Sequence, residues 1–406
     1  MSEVLKNEVR GIMYEIGSEF NFEKASRRQD LVALLSETAQ NNDRYAEFLR
    51  CGRDAIGFVA DDIIAKNKDE IRVLMPALAC DSMVRPFEVR GIKVEYYKLS
   101  PELTVDEGYL TEKINNIAGE KITPVVLIMN FFGSAGIANV SKAIKDACRG
   151  AIIIEDVTHI LLEPEKYIVK DILADYHVGS IRKWLGVPDG AVAISSTEFV
   201  MGALTGETDF TGLRTEALIE KSEYLDNGDQ ELKAHFRKLL SDAEDSLSDG
   251  LDPYHMSDVS AEYLSDLNIE NIKNRRRANY KNLYRLLKEA PLFDKAYRLL
   301  PEIPANNDEY EYTPFMLPIV LDIDFMKRSA ITDEGKNITR DGFERRLAKR
   351  GVYAPVLWPI SKEAADTCAN SGSFSDNMLA FWIDQRYSRF DMERVAEILR
   401  DELSRL

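Results

Sequence analysis

A carboxylate closing an apolar run, a histidine one helical turn later and a lysine between two further runs are the residues of this sequence best placed for chemistry. Asp156 ends the stretch Ile152-Ile153-Ile154-Glu155. A charge at the end of so apolar a segment must be paired or put to use, because isolated burial is costly. Aspartate also opens helices well, so Asp156 is equally a candidate helix cap. His159 lies within one helical turn of it, so both side chains can face a common ligand; taken alone, it reads as a structural histidine. Lys183 stands in Tyr176-His177-Val178-Gly179-Ser180-Ile181-Arg182-Lys183-Trp184, ahead of Pro188-Asp189-Gly190 and another apolar run. Flanked by Gly179 and Trp184, it is not placed as a solvated lysine, and burial favours the neutral amine that Schiff-base chemistry with a carbonyl requires. Ser180 offers a hydroxyl to a phosphate, and Arg182 either adds charge there or pairs with an acid.

Such residues act at the carboxyl ends of parallel strands, and the sequence supplies the strands. From about residue 71 to 196, short β-branched runs alternate with helical patterns, the signature of βαβ units around a mainly parallel sheet. The runs are Ile71 to Met75, Lys93 to Tyr97, Val125 to Met129, Ile152 to Glu155 and Ala191 to Ser195, with helices expected over Ser82 to Arg90 and Val140 to Cys148. Each run is nearly continuous in apolar residues, as burial on both faces demands. Beyond Ser196 the chain turns polar and helical, with an acidic stretch from Asp226 to Asp252 and an amphipathic pattern from Val259 to Leu287. Alternation resumes with a strand over Phe315 to Leu321, a helix over Arg340 to Arg350, an extended piece over Val352 to Leu357 and a helix from Asp391. The expectation is an α/β protein with a large domain over residues 1–250, including an N-terminal arm, and a smaller C-terminal α/β domain over 251–406 that includes a long linking helix. Pro301 to Tyr312, rich in Pro, Asn and acids, is the linker candidate.

Composition narrows the class. The 406 residues exceed what one core usually organises, and 45% apolar content allows a large one. No apolar run is long and uncharged enough to span a bilayer. Met1 to Arg10 mixes charges without a secretory apolar stretch, so a cytoplasmic location is expected. Four scattered cysteines, Cys51, Cys80, Cys148 and Cys368, suggest neither disulfides nor a metal site. A net charge of -17 disfavours nucleic acid as a partner. The basic run Lys273 to Arg277 lies in the amphipathic stretch and reads as a solvated face or an interface.

The cluster Glu155-Asp156-x-x-His159, followed by Ser180-x-x-Lys183 and Gly190, resembles the active-site core of fold-type-I enzymes that use pyridoxal 5'-phosphate (PLP), and in particular the DegT/StrS sugar aminotransferases. The resemblance implies a fold-type-I transferase in which Asp156 pairs with the cofactor's protonated ring nitrogen, Lys183 holds it as a Schiff base and moves the proton, and His159 lies near it. Cys51-Gly52-Arg53-Asp54-Ala55 is similar to the family's Ser-Gly-Thr-x-Ala turn, whose amides cradle the phosphate at a helix start. This makes Gly52, Arg53 and Asp54 cofactor candidates. Arg53 replaces a hydroxyl, and Asp54, if it points inward, must pair with a cation, Arg53 being the nearest. In Pro76-Ala77-Leu78-Ala79-Cys80 the family's position over the pyridine ring falls on Cys80, otherwise a buried small residue. Pro253-Tyr254-His255-Met256-Ser257 resembles the Asn-Tyr-Arg-Met-Ser motif that reaches a partner subunit's phosphate; it lacks the Asn and the Arg, and leaves Tyr254, His255 and Ser257 as donors.

What the resemblance implies is a homodimeric aminotransferase converting a keto sugar, nucleotide-linked, to an amino sugar with a donor such as glutamate, without a metal. Three alternatives stand beside it: a PLP enzyme of another reaction type or with a non-sugar ketone, a degenerate member that binds PLP for regulation, and a Rossmann nucleotide-binding protein. The last lacks a Gly-x-Gly-x-x-Gly after its first strand.

Overall fold

The computed structural model describes residues 15–22, 29–133, 137–168, 173–300 and 312–405. The expectations for Met1 to Arg10 and for 301–311 of the linker candidate lie outside these residues. Seven strands, β1 (Tyr45–Leu49), β2 (Ile71–Pro76), β3 (Lys93–Tyr97), β4 (Thr123–Met129), β5 (Ile152–Asp156), β6 (Tyr176–Ser180) and β7 (Ala191–Ser195), form one sheet in the order β1-β7-β6-β5-β4-β2-β3. Every pairing from β6 through β5, β4 and β2 to β3 is parallel, while β7 is antiparallel to both β6 and β1. The reversal follows from chain length: residues 181–190 are too few for a crossover helix, so β7 must turn back.

Helices α1 (Leu31–Asn41), α2 (Gly52–Lys66), α3 (Asp81–Glu88), α4 (Glu107–Gly119) and α5 (Ile137–Ala147) alternate with the strands and supply the burial that their apolar sequences require. The runs expected from sequence match β2, β3, β4, β5 and β7 within two residues at either end. β1 and β6 escaped because Tyr-Ala-Glu-Phe-Leu and Tyr-His-Val-Gly-Ser carry too many polar or small residues to read as buried strands, although β6 is buried throughout.

The polar region beyond Ser196 forms a helical hairpin of α6 (Asp209–Asn227) and α7 (Gln230–Asp245), with the acidic stretch supplying its turn and second helix. Gly228, at φ 73°, closes the first helix, and the Asp229 side chain caps the second by accepting from Glu231 N. The amphipathic pattern from Val259 is two helices, because Asn268 ends the register of Asp258–Leu264 and caps α8 (Ile269–Lys288). A second, antiparallel sheet of β8 (Tyr297–Leu299), β9 (Met316–Leu321) and β10 (Met378–Trp382), in the order β10-β9-β8, packs with α9 (Arg340–Lys349) and α10 (Arg389–Ser404). Val352 to Leu357 contributes isolated bridges and no strand of its own. Leu264, Leu267, Ile269 and Ile272 pack into the first core, whereas Tyr280, Leu283 and Leu287 pack into the second, so the hand-over between cores falls inside α8. Among the described residues no helix is long and apolar enough to cross a membrane.

Glu15 fastens the N-terminal segment to both parts. Its carboxylate, 4% exposed, accepts from Lys221 Nζ at 2.5 Å, Lys233 Nζ at 2.6 Å, Tyr224 Oη at 3.0 Å and Tyr353 Oη at 3.2 Å. Burial opposes its charge, but the two lysines prevail and hold its pKa at about 2 against 4.5 for a free glutamate. A lowered carboxyl pKa stabilises the fold above the unfolded value and loses that contribution as pH falls towards the folded one. Glu15→Gln is therefore expected to cost about 3 kcal/mol at neutral pH, the scale for leaving a buried charge unpaired, and to flatten the loss of stability between pH 4.5 and about 2. Denaturant titrations across that range check it; an unchanged acid limb would refute the assignment.

Candidate active site

Three strand ends converge on one cavity. β5 ends in Asp156, β6 in Ser180, and the chain leaving β1 enters α2 at Gly52. Asp156 lies opposite Val178 in the parallel ladder, so the carboxylate and the residues leading to Lys183 emerge side by side. Lys183 ends a single 3-10 turn, Ile181–Lys183, at the start of the reversal into β7, and is half-buried. Gly190 N donates to Arg50 O and Gly190 O accepts from Ile181 N, which ties this turn to β1. Gly190 has φ 134°, and a Cβ there would stand 3.3 Å from Met256 Sδ, so the position is restricted to glycine.

The cavity is a half-open cleft with about 530 Å³ of empty space, its open mouth included. Asp156, Ser180, Lys183, Gly52 and Arg53 line it, joined by Thr158, Arg182, Ser82, Met83, Glu244 and Leu247. No hydrogen-bond or ion-pair partner of Lys183 Nζ occurs among the described residues, and its charge faces Asp156 and His159. Burial pushes the Asp156 carboxyl up, opposed by hydrogen bonds from Thr158 and by the Lys183 charge.

In the same lining, features of a phosphate cradle meet. Cys51 precedes α2 without a side-chain cap; the Asp54 amide faces its thiol, which leaves the Gly52 and Arg53 amides for an anion. Gly52 faces Ser180, since a Cβ at Gly52 would lie 3.3 Å from Ser180 Cβ. The Ser180 hydroxyl is buried without a hydrogen-bond partner, as are Nε of Arg53 and Nε of Arg182. An orphaned hydroxyl, free amides and two under-used guanidiniums fit a bound phosphate ester.

The other sequence candidates lie outside this lining. Asp54 is fully buried, and its cation is Arg50 rather than Arg53, with Nε–Oδ2 at 2.7 Å and Nη2–Oδ1 at 3.1 Å. Adjacent residues on a helix point about 100° apart, so Arg53 cannot turn to Asp54. Cys80 starts α3 with its Sγ 2.9 Å from Ser82 Oγ, and Ser82 and Met83 reach the cavity instead. His159 accepts from Phe132 N through Nδ1 at 2.9 Å and stacks on Phe315 with ring centroids 4.3 Å apart. Burial, then the Lys183 charge, drive its pKa well below the ordinary range, so the ring is neutral. Tyr254 lies under the Arg50 guanidinium, 4.9 Å from its ring centroid, and His255 Nδ1 is 3.8 Å from Glu47. Ser257 caps the helix Asp258–Leu264 and donates from Oγ to Asp189 at 2.9 Å. The basic run is exposed at Asn274 and Arg275, while Arg276 is fully buried, stacks on Trp184 and donates to the carbonyls of Phe315 and Trp184.

Sequence reasoning missed Thr158, which organises the site. Its N–H donates to Asp156 Oδ1 at 2.8 Å, its Oγ1 accepts from Ser180 N at 3.1 Å, and its carbonyl accepts from the Trp184 indole. Its position two residues after Asp156 was the available signal. Glu244 and Leu247 had none, since they arrive on a helix distant in sequence.

No family model matches the chain, and no curated protein does. Solved structures match over nearly its whole length. The Helicobacter pylori aminotransferase PseC, involved in pseudoaminic acid biosynthesis, superposes at TM-score 0.62 with 13% identity, covering 97% of this chain and 100% of that one. A sugar aminotransferase of Streptococcus pneumoniae, in its pyridoxamine-phosphate (PMP) form, gives 0.62 with 12% identity, covering 96% and 98%. A NifS-like protein of Rickettsia africae gives 0.54 with 14% identity, covering 92% and 87%. At these identities the likeness establishes the fold: a fold-type-I PLP-transferase architecture, as the sequence motifs implied.

Thr158→Val leaves the buried Ser180 N–H without its acceptor. It should cost about 1–2 kcal/mol of stability, read as a lower denaturation midpoint at unchanged m-value; an unchanged midpoint would show that Thr158 does not hold the strand ends together.

Proposed function

We propose that this protein is a PLP-dependent aminotransferase that converts a keto sugar, nucleotide-linked, into an amino sugar with an amino acid donor such as glutamate, acting as a cytoplasmic homodimer. The observation carrying the reading is that Asp156, Lys183 and the Ser180–Gly52 cradle line one cavity. Solved neighbours support the substrate class: one acts in pseudoaminic acid biosynthesis, and the pneumococcal sugar aminotransferase has been solved in PLP and PMP forms.

When bound, PLP supplies an electron sink for the carbon bearing the amine. The chain does the rest. Asp156, whose burial disfavours its charge, gains a cationic partner in a protonated ring nitrogen and keeps that nitrogen protonated. Lys183, free of other partners among the described residues, anchors the cofactor through Nζ and then carries the proton. Ser180 Oγ, the amides after Cys51 and Arg53 take the phosphate. His159, neutral and stacked on Phe315, is a positioning residue at the back of the site. Tyr254 and Ser257 do not line the cavity within one chain, and their part belongs to the dimer reading.

A second reading, a PLP enzyme acting on a non-sugar substrate, is favoured by the match to the NifS-like protein. A donor and acceptor screen separates the two.

The first test is the absorption spectrum of protein reconstituted with PLP. A band near roughly 410–430 nm that needs Lys183, is absent in Lys183→Ala and shifts on adding glutamate is expected. Asp156→Asn should keep the band but slow its glutamate-driven shift about a hundredfold or more, the scale for losing one electrostatic partner at a reacting centre. Wild-type protein with no lysine-dependent band would sink the reading.

A further inference from the structure

The cationic end of the cavity already contains an anion of its own. Glu244, at the end of α7, places Oε1 2.9 Å from Arg182 Nη2 and 3.9 Å from Arg214 Nη1. Burial would raise its carboxyl pKa, yet Arg182, Arg214 and Arg53 together hold it lowered. Glu19 also faces Arg182 and Arg214, and Arg50 is paired with Asp54. Arg182, Arg214 and Arg50 all surround the buried Phe210 ring, at 5.5, 5.5 and 5.9 Å from its centroid. Arg214 is pushed down to about 10, first by burial and then by Arg182.

The donors of these groups are only partly used. Arg182 meets Glu244 through one terminal nitrogen while its buried Nε has no hydrogen-bond partner. Arg53 reaches the half-exposed Asp249 only at 3.7 Å, and its Nε is likewise unsatisfied. A guanidinium presents five donors in a fork suited to a tetrahedral oxyanion, and a single carboxylate engages few of them. Ser180, 3% exposed, lines the same cavity with its hydroxyl unpartnered. The free amides at the start of α2, Ser180 Oγ, Arg53 and Arg182 thus surround space that one phosphate can serve better than Glu244 does.

We propose that Glu244 is a built-in competitor for the phosphate subsite: it balances Arg182 and Arg53 while the cavity is free and yields both guanidiniums to an incoming phosphate. The inference rests on reading this end of the cavity as a phosphate cradle. It assigns the phosphate's counter-charge to this chain's own Arg53 and Arg182 and makes Glu244 the residue that tunes affinity for phosphorylated ligands. Because part of any phosphate's binding energy is used to displace the carboxylate, apparent affinity falls by the fraction of sites in which Glu244 is released. A ligand without phosphate leaves the pair intact and escapes that loss.

The test titrates wild type, Glu244→Gln and Arg182→Met with inorganic phosphate, PLP and pyridoxal by calorimetry. In Glu244→Gln, phosphate and PLP should bind about tenfold tighter with pyridoxal unchanged; in Arg182→Met both phosphorylated ligands should weaken by about tenfold or more. Unchanged or weaker phosphate binding in Glu244→Gln would overturn the proposal. Hydrogen exchange on wild type gives a reading that needs no variant. Phosphate should slow exchange of the amides over 52–55 and speed it over 243–247, whereas equal protection of both segments would mean that Glu244 is a structural tether. If phosphate behaves as stated but PLP gives no Lys183-dependent band, the cofactor reading fails and this inference stands. If the band appears and Glu244→Gln is neutral, the reverse holds.

Discussion

The hydrogen bonds of Thr158 are the interaction on which the rest of the structure depends. Through its N–H, hydroxyl and carbonyl this one residue fixes the carboxylate at the end of β5, the last residue of β6 and the indole that follows Lys183. The network continues outward. The Trp184 carbonyl accepts from Arg276 Nη2 and Gln385 Nε2, and Arg276 donates in turn to the Phe315 carbonyl at the edge of β9. A displacement of the lysine turn would therefore be felt at the seam between the two cores. This coupling follows from buried polar groups, each of which must keep its partner.

The charges obey a similar constraint. A chain with a net charge of -17 gathers Arg50, Arg53, Arg182, Lys183 and Arg214 around one region. The fully buried Arg276 donates to the carbonyls of Phe315 and Trp184, and Arg50 and Arg386 hold Asp54 and Asp384 in bidentate contact. Arg53 and Arg182 lack this geometry, and each keeps a buried Nε unsatisfied. Incomplete pairing of a desolvated cation is costly, and here it coincides with an uncapped helix start and an orphaned hydroxyl, the combination on which the phosphate-cradle proposal rests.

Much was legible in the linear sequence because it is local. Continuous apolar runs are the mark of strands covered on both faces, and they located β2, β3, β4, β5 and β7. Asp156 was legible because it closes such a run and parallel sheets present their strand ends to ligands, and Lys183 because Gly179 and Trp184 flank it ahead of the next run. β6 was not, since a strand can be buried through Tyr, His and Ser when its neighbours satisfy them, and no local period reports those neighbours. Likewise the helix break before α8 is a single capping asparagine within an amphipathic pattern that otherwise continues.

By itself, then, the sequence determined β2, β3, β4, β5 and β7, their alternation with helices and the residue types at two strand ends, because burial and periodicity act within a few residues. Tertiary structure alone decided which charges meet. It gave Asp54 to Arg50 instead of Arg53, placed His159 in an aromatic stack, buried Arg276 of the basic run at the seam, and brought Glu244 into the cavity from a distant helix. Ion pairing and desolvation act through space over a few ångströms, so their outcome depends on how the sheet and the helical hairpin pack, not on proximity along the chain.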